Sequence, residues 1–396
     1  MCFQSGTNYE MFLEENGEVI KQLDKGEFSA GETTLTGINL EYHFEKMQKI
    51  LISICGQNGK EIAETPIPVA DILTKKKPKF YIQKKGSNNI GELIISDKSY
   101  TSDYKEIVDI PEEKIKRSMF RFGRKNKEKT DTKKAPNPTK FLEIMDEGLE
   151  ISVQFGVDFT SSNGSDIRSP SSLHHFTDEK KIQNPYQEAI RKVGDIVAQY
   201  DDDQWFPAFG YGCQVPRFGR SLYFPPFFHI NMNKNPECRG IEGVLAAYNS
   251  ALPKIKMGDM GSADYSGYKR RFRGDDFHQL ISAAVKTINK NENKYMVLTL
   301  IIDGDYFDNQ ATIDTIVEAE EYPISIIIIG VGRSSFTNCK IFDADDKRLV
   351  HSNGRKQKRD IVQFVKFDDY KQDLKLLTDE VLFEIPGQVV NYMMMQ

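Results

Sequence analysis

The sequence contains few residues of the kinds that build disulfide frameworks or zinc modules. Its 396 residues include only five cysteines, an odd number without a CxxC pair. Such a set excludes a disulfide framework and structural zinc, and it is typical of a reducing compartment. The N-terminus lacks the basic start and apolar stretch of a secretory signal, and no apolar run approaches the length that crosses a bilayer. We therefore expect a cytoplasmic protein.

Positive charge is concentrated in one short stretch of the chain. The formal net charge is -5, yet residues 114–140 include eleven lysines and arginines against two acidic residues. That stretch carries +9, which leaves -14 on the rest of the chain. A basic segment between two acidic regions of the chain indicates contact with a polyanion. No nucleic-acid-binding motif accompanies it, so an anionic phospholipid membrane is the expected partner and nucleic acid is not.

The chain length and the pattern of the first hundred residues predict a separate all-β domain. A chain of 396 residues, 39% of them hydrophobic and 28% charged, exceeds one ordinary globular core. Residues 40–54 alternate apolar and polar side chains and then become apolar, and two short strands, KFYIQKKG and IGELIIS, follow. Because we predict no helix between these strands, we expect an antiparallel sandwich over residues 1–110.

From residue 141 to residue 396 the pattern changes to alternating strands and helices. Four strands are predicted, at residues 149–158, 205–212, 295–303 and 322–332. The last two are nearly unbroken apolar runs, which are typical of strands buried on both faces. Amphipathic helices are predicted between them, and the first of these, PYQEAIRKVGDIVAQY, has one apolar stripe: Tyr186, Ile190, Val193, Val197 and Tyr200. The pattern predicts an α/β domain with a parallel sheet, in which ligands bind beyond the carboxyl ends of the strands.

The range 111–140 between the two parts is basic and then proline-rich, which is typical of a solvated linker. Aromatic residues inside the basic cluster are instead typical of a segment that lies on an anionic membrane. Both interpretations stay open, and a second basic run at residues 75–85 favours the membrane. The predicted membrane-binding residues are Lys75, Lys76, Lys77, Lys79, Lys84, Lys85, Arg117, Phe120, Arg121, Phe122, Arg124, Lys125 and Lys127.

Oxygen-bearing side chains cluster directly after the first strand of the α/β part. The segment DFTSSNG places Asp158, Thr160 and Ser162 two residues apart, and Asp303 ends a later strand in LTLIIDGD. Carboxylates at the ends of parallel strands, with hydroxyls beside one of them, are hard ligands suited to Mg²⁺ or Mn²⁺. An Asx turn that caps the following segment explains the first three residues without a metal, and their spacing alone does not decide between the two.

Longer segments resemble a known family. DFTSSNG, SLHHF, NPYQEAIRKVGDIVAQYDDDQWFPAFGYG, NPECRGIEGVLAAY, PISIIIIGVG and RDIVQFVKFDDY resemble the copine family, and they occur in family order over residues 141–370. The resemblance implies a Rossmann-like, doubly wound parallel sheet of the von Willebrand factor A type. It also implies a metal-ion-dependent adhesion site in which Asp158, Thr160, Ser162 and Asp303 hold a divalent cation, directly or through water.

The second loop of that implied site departs from the family pattern. Where the family has Thr followed by Asn and Phe, this sequence has Asp275, Asp276 and Phe277. The alignment therefore puts Asp275 in the Thr position and makes it the fifth predicted metal ligand. An extra carboxylate tightens cation binding, but it reduces the positive charge that is left to attract an acidic partner.

The first 110 residues resemble a C2 domain, the membrane-binding sandwich that copines usually carry in two copies. Aspartates in two loops hold Ca²⁺ in such domains, whereas the loop after residues 52–54 has the sequence CGQNGKE. Without these carboxylates we do not expect a Ca²⁺ site of useful affinity. Any lipid binding by this domain would use the lysines of residues 75–85, although the same run also suits an exposed, soluble edge strand.

One enzymatic interpretation stays open beside this one. LTLIIDGDYFD has two aspartates one residue apart after an apolar strand, as in haloacid-dehalogenase phosphatases, with Asp303 as nucleophile and Asp305 as general acid. Phe307 stands where that motif has Thr or Val, which argues against it. The histidines accompany no nucleophile motif, so we expect each, His174 included, to be a surface residue or a hydrogen-bonded structural one.

The sequence thus predicts a non-enzymatic, cytoplasmic adaptor that is peripheral at membranes and binds a divalent cation and a protein partner. The alternatives are a Mg²⁺-dependent phosphatase and a protein-interaction module without lipid affinity.

Overall fold

A computed structural model of the chain shows an antiparallel β region followed by an α/β region. The residues that it describes are 7–15, 17–27, 35, 38, 40, 48–56, 60–74, 78–83, 89–95, 138–176, 183–216, 222–257, 277–289, 292–304, 309–344 and 347–395.

Four strands near the N-terminus form an antiparallel sheet in the order β2-β1-β3-β4. They are β1 (Asn8–Glu15), β2 (Glu18–Glu27), β3 (Gln48–Cys55) and β4 (Glu61–Pro68). Alternate residues of β1 are buried, namely Tyr9, Met11 and Leu13, which is the two-residue period of a strand with one covered face. The β1–β2 hairpin was not among the predicted strands.

A short helix and a separate hairpin follow this sheet. They are α1 (Val69–Thr74), β5 (Lys79–Gln83) and β6 (Asn89–Ile94), and β5 pairs with β6. The two hairpin strands confirm the prediction for this segment, whereas the prediction of no helix between strands was wrong. Val69 and Ile72 of α1 are buried against the sheet, so apolar packing outweighs the short length of the helix. The described residues give one sheet and one hairpin, and the predicted sandwich stays a prediction.

The α/β region is built on one central sheet. Its strand order is β11-β8-β7-β14-β15-β16, and β12 also pairs with β8. The strands β7, β8, β14, β15 and β16 run parallel, as predicted, while β11 and β12 add antiparallel pairs at the β8 edge. A small antiparallel sheet of β10, β9 and β13 lies beside it. The strands are β7 (Glu150–Asp158), β8 (Trp205–Tyr211), β9 (Cys213–Pro216), β10 (Leu222–Tyr223), β11 (Phe228–His229), β12 (Glu237–Arg239), β13 (Lys256–Met257), β14 (Lys294–Ile302), β15 (Ile324–Gly330) and β16 (Val362–Lys366).

Helices cover both faces of this sheet. They are α2 (Pro138–Asp146), α3 (Pro185–Val197), α4 (Gly240–Ala251), α5 (His278–Thr287), α6 (Asn309–Ala319), α7 (Thr337–Phe342), α8 (Phe367–Tyr370), α9 (Leu374–Leu382) and α10 (Ile385–Met393). Side chains of α2, α3, α4, α9 and α10 share one hydrophobic core with the sheet, and those of α5, α6 and α7 share the other. The predicted doubly wound architecture is confirmed. Helix α2 begins at Pro138, inside the range predicted as linker, and Phe141 and Met145 of this helix are buried.

The sequence of α3 explains where this helix begins. Pro185 occupies its first turn, and Asn184 is its N-cap: the Asn184 side chain accepts the Gln187 N–H at 2.9 Å, while the Gln187 side chain accepts the Asn184 N–H at 2.8 Å. This reciprocal capping box satisfies two backbone donors that the helix leaves free. The five residues of the predicted apolar stripe are all buried.

One buried cation joins the last helix to the beginning of β15. Arg359 is 3% exposed, and its guanidinium donates to the carbonyl of Glu320 at 2.7 Å and that of Ile324 at 3.2 Å. The same guanidinium lies 5.0 Å from the centre of the Tyr392 ring in α10. Its planar fork of donors thus satisfies several carbonyls at once, which a single ammonium group does not.

We expect Arg359→Lys to lower the free energy of unfolding by about 2–4 kcal/mol, because it leaves buried carbonyls without donors. Urea unfolding followed by the fluorescence of Trp205, the single tryptophan, measures the change. Lys358→Ala is the matched control, since its exposed ammonium lies 3.8 Å from Glu321 and contributes less than about 1 kcal/mol. Equal midpoints for the two variants would contradict the assigned role.

Candidate metal centre

The predicted acidic residues lie at the point where the strand order of the sheet reverses. Asp158 is the last residue of β7, and Asp303 directly follows β14, the parallel neighbour of β7. The strand after β7 in the chain, β8, pairs with its other side. The chain therefore leaves β7 in one direction and returns to β14 in the other, which opens a crevice at the carboxyl ends of the strands.

Hydrogen bonds connect the four described residues of the predicted site. The Thr160 N–H donates to Asp158 Oδ1 at 2.8 Å, and the hydroxyls of Thr160 and Ser162 lie 2.8 Å apart. The Ser162 hydroxyl donates to Asp303 Oδ1 at 2.9 Å, although 141 residues separate the two. The structure thus brings together Asp158, Thr160, Ser162 and Asp303, while Asp275 lies outside the described residues.

The direction of these hydrogen bonds follows from the number of protons. The single hydroxyl proton of Ser162 is used on the Asp303 carboxylate, so Thr160 must donate to Ser162. The Thr160 oxygen in turn lies 3.4 Å from Nδ2 of Asn163, which is a donor. All the protons therefore point along the loop towards Asp303, and one oxygen lone pair of each hydroxyl remains available to a ligand.

Two carboxylates are buried side by side at this site. Asp158 and Asp303 are each 5% exposed. Burial raises the pKa of Asp158, the charge of Asp303 raises it further, and burial also raises the pKa of Asp303. In the part of the chain that the structure describes, neither forms an ion pair with a basic side chain. Two buried like charges without a countercharge are costly, and a divalent cation would supply that countercharge.

The donor set fits a hard divalent cation. Two carboxylates and two hydroxyls offer only oxygen ligands, which suit Mg²⁺ or Mn²⁺. Within the described ranges, no three His, Cys, Asp or Glu side chains group closely enough to hold a metal by themselves, so the hydroxyls are needed. Among the same residues, two buried polar atoms next to this cluster lack a partner, Oδ1 of Asn163 and the hydroxyl of Tyr186. Burial raises the pKa of Tyr186 and both carboxylates raise it further, which places its hydroxyl within their electrostatic reach.

Two further residues, the last of β8 and the one directly after it, shape the site and were not predicted. Tyr211 is 2% exposed, and burial together with the charges of Asp158 and Asp303 raises the pKa of its hydroxyl, which places this hydroxyl within the electrostatic reach of both carboxylates. Gly212 has a φ of +81°, and a Cβ there would lie 2.4 Å from Thr160 Cγ2. A glycine is therefore required for the close approach of this corner to the loop. Both residues lie in the segment FGYG that carries the family resemblance, but their contacts depend on the paired strands.

His174 is a hydrogen-bonded structural histidine, as predicted. It is fully buried, and its ring nitrogens lie 2.8 Å from the carbonyl oxygen of Asp158 and 2.7 Å from the Tyr248 hydroxyl. Its position directly behind the loop of residues 158–164 was not predicted.

Most of the predicted membrane-binding residues lie outside the described residues. These are Lys75, Lys76, Lys77, Lys84, Lys85, Arg117, Phe120, Arg121, Phe122, Arg124, Lys125 and Lys127. The described one, Lys79, is exposed on β5, where its ammonium lies 2.6 Å from Glu92 on β6. Its charge is therefore already balanced. No helix in the described ranges has both the length and the apolarity to span a bilayer.

The residues of the alternative phosphatase motif are only partly described. Asp305 lies outside the described residues. Asp303, its proposed nucleophile, is buried, accepts the hydroxyl proton of Ser162 and lies beside a second carboxylate.

Comparisons with known proteins identify the family of relatives. The copine family model matches residues 172–396, more than half of the chain. Copine-C of Dictyostelium discoideum is 35% identical over 275 residues, which is 69% of this chain and 46% of that protein. The chain thus spans about half the length of this curated relative.

Two solved structures are also similar to the chain. Proximal thread matrix protein 1 of the mussel byssus has a TM-score of 0.31 at 13% identity and covers 58% of this chain and 48% of its own. A von Willebrand factor type A protein from Catenulispora acidiphila has the same score and identity, over 59% and 43%.

We expect Asp158→Asn to stabilise the protein in chelator by about 1–3 kcal/mol, because it removes one of two buried like charges. We expect Mg²⁺ or Mn²⁺ to stabilise the unchanged protein and this variant to lose that stabilisation. Because the pKa of Asp158 is higher in the folded protein than in the unfolded chain, this carboxyl destabilises the folded protein as pH rises. The stability gained by Asp158→Asn should therefore be larger at about pH 8 than at about pH 5. Thermal melting with and without cation measures both effects.

Asp166→Asn is the control for this substitution, because Asp166 is an exposed residue of the same loop and should change neither quantity. A destabilised Asp158→Asn protein in chelator would show that the carboxylate pair is not under electrostatic strain.

Proposed function

The chain belongs to the copine family, and from this premise we propose that it is a non-enzymatic adaptor that binds a divalent cation and links anionic membranes to a protein partner. The observation that carries the proposal is the convergence of Asp158, Thr160, Ser162 and Asp303 at the switch point of the sheet. Four oxygen-bearing side chains, two of them buried acids, suit cation binding rather than the packing of a core.

Mg²⁺ or Mn²⁺ is the proposed cation, held by these four residues and by Asp275 of the second loop. When bound, the ion supplies positive charge at a surface crevice, where an acidic group of a partner can reach it. Ser162 is the exposed residue among these four and marks the open side of the site. The additional acid at position 275 would leave less positive charge for the partner, so we propose a tightly held cation and a weakly charge-dependent partner contact.

Membrane contact is the second part of the proposal. The sequence of residues 114–140, with its net charge of +9 and its aromatic residues, supports binding to anionic lipid. The calcium switch of C2 domains is proposed to be lost, because the loop CGQNGKE has no aspartate. These two proposals together place the protein in the cytoplasm and at the cytoplasmic face of membranes.

Sedimentation with phosphatidylserine vesicles tests the membrane proposal. We expect the intact chain to bind in chelator as well as in Ca²⁺, and binding to weaken with added salt. Changing Arg121, Arg124, Lys125 and Lys127 to Ala should weaken binding by at least about tenfold, since each basic residue contributes about 1 kcal/mol at an anionic surface.

Removal of four exposed lysines elsewhere is the matched control for charge: Lys256, Lys286, Lys340 and Lys356 to Ala. This variant should bind as the unchanged chain does. Binding that requires Ca²⁺ would show that the C2-like loops hold calcium after all. Absence of binding at low salt would leave a protein-interaction module without lipid affinity.

A non-enzymatic role is tested by hydrolysis of a generic phosphate ester with Mg²⁺. We expect no turnover above the buffer rate, because Asp303 is buried and already accepts a hydroxyl proton. Turnover that disappears in Asp303→Asn would contradict this expectation and support the phosphatase.

A further inference from the structure

The loop that carries the proposed cation ligands, residues 158–164, is held from behind by a second segment of the chain, Ser172–His174. The Ser172 hydroxyl lies 3.2 Å from the carbonyl oxygens of both Asn163 and Gly164, to which it donates. The Leu173 N–H donates to the carbonyl of Asn163 at 2.9 Å. These bonds fix the far end of the loop, where Gly164 has a φ of +91° and the chain turns away from the site.

His174 holds the other end of the loop, at its first acidic residue. Nε2 of His174 lies 2.8 Å from the carbonyl oxygen of Asp158. The next amide of the chain, the Phe159 N–H, donates to the carbonyl of Tyr211 at 2.9 Å. The peptide unit that joins Asp158 to Phe159 is therefore bonded on both sides, by a side chain at its oxygen and by β8 at its nitrogen.

The protonation state of His174 follows from its partners. A carbonyl oxygen only accepts, so Nε2 must carry the proton. Burial lowers the pKa of His174 to about 3, so the ring is neutral and Nδ1 has no proton. The hydroxyl of Tyr248 has one proton and two possible acceptors, Nδ1 of His174 at 2.7 Å and Oδ1 of Asn184 at 3.3 Å. It donates to the nearer one, Nδ1.

The ring of His174 has little freedom to turn. It is stacked on Tyr186, with ring centres 4.0 Å apart, and on Phe159, with ring centres 4.9 Å apart. Tyr248 belongs to α4, and its other neighbour, Asn184, is the N-cap of α3. The hydrogen bond to the Asp158 carbonyl is thus anchored in two helices that cover the sheet.

We infer that His174 is a positioning residue of the cation site, which fixes the carboxylate of Asp158 through the main-chain carbonyl of the same residue. This inference rests on the proposed cation binding. A metal site requires its ligands within about 0.5 Å of their productive position, and loss of one of the two hydrogen bonds that hold this peptide lets the Asp158 side chain shift. Partners one bond removed from a ligand change metal affinity about 10- to 100-fold when they are lost.

Two substitutions separate this role from simple filling of the core. The amide nitrogen of Gln reaches the place of Nε2, so His174→Gln keeps a donor for the Asp158 carbonyl and loses the contact with Tyr248. Asn is shorter, so His174→Asn keeps a group near Nδ1 and leaves the carbonyl without a donor. Both variants lose the ring and its stacking, and a purely structural role predicts the same effect for both.

Mn²⁺ titration of the full chain, followed by the paramagnetic resonance of free Mn²⁺, measures the affinity. We expect His174→Gln to bind Mn²⁺ within about threefold of the unchanged chain and His174→Asn to bind at least about tenfold more weakly. His175→Asn is the matched control at the neighbouring position and should keep the original affinity. Equal affinities for the Gln and Asn variants would overturn the inference.

Thermal melting in chelator shows whether the variants fold. If His174→Asn does not fold, Tyr248→Phe decides instead: it removes the proton that holds Nδ1 and should weaken Mn²⁺ binding severalfold, whereas unchanged affinity would overturn the inference. Mn²⁺ binding by the unchanged chain is required in either case. Its absence would refute the proposed cation site itself and the inference with it, an outcome distinct from equal binding by the variants.

Discussion

The structure of the candidate site depends on one contact between distant parts of the chain, the hydrogen bond from Ser162 to Asp303. It joins the loop after β7 to the end of β14. The parallel pairing of these two strands brings their carboxyl ends together, and the reversal of strand order leaves the space above them open. The closeness of the two carboxylates is therefore a consequence of the sheet topology, and the loop adds the hydroxyls that hold them.

Much of this arrangement could be predicted from the sequence, because long apolar runs and strand ends are local features. β14 and β15 lie within the predicted ranges 295–303 and 322–332 apart from one residue, Lys294, at the start of β14. Asp158 and Asp303 could be recognised as strand-end acids for the same reason. Tyr211, Gly212 and the place of His174 could not, because each acts on the loop from a different strand or segment, and such distances are absent from a linear pattern.

In the N-terminal region, the strands β1 and β2 were not predicted, for other reasons. Tyr9, Met11 and Leu13 alternate with polar residues in β1, and Gly17, with a φ of +89°, forms the turn to β2. This pattern is a local hairpin pattern and could have been recognised. β2 itself is mostly polar and exposed because it is the edge strand of its sheet, so its composition is that of a loop. Edge strands lack the periodicity on which strand prediction depends.

A site of this kind ties cation binding to the stability of the α/β region. Burial raises the pKa of both acids and the charge of Asp303 raises that of Asp158 further, and the same charges would attract a cation. A bound cation would offset the strain that the carboxylates introduce. Hydrogen bonds from the Thr160 N–H and the Ser162 hydroxyl to the two carboxylates limit that strain without neutralising the charge. The loop thus holds these oxygen atoms together by its own hydrogen bonds, which would reduce the ordering that cation binding requires.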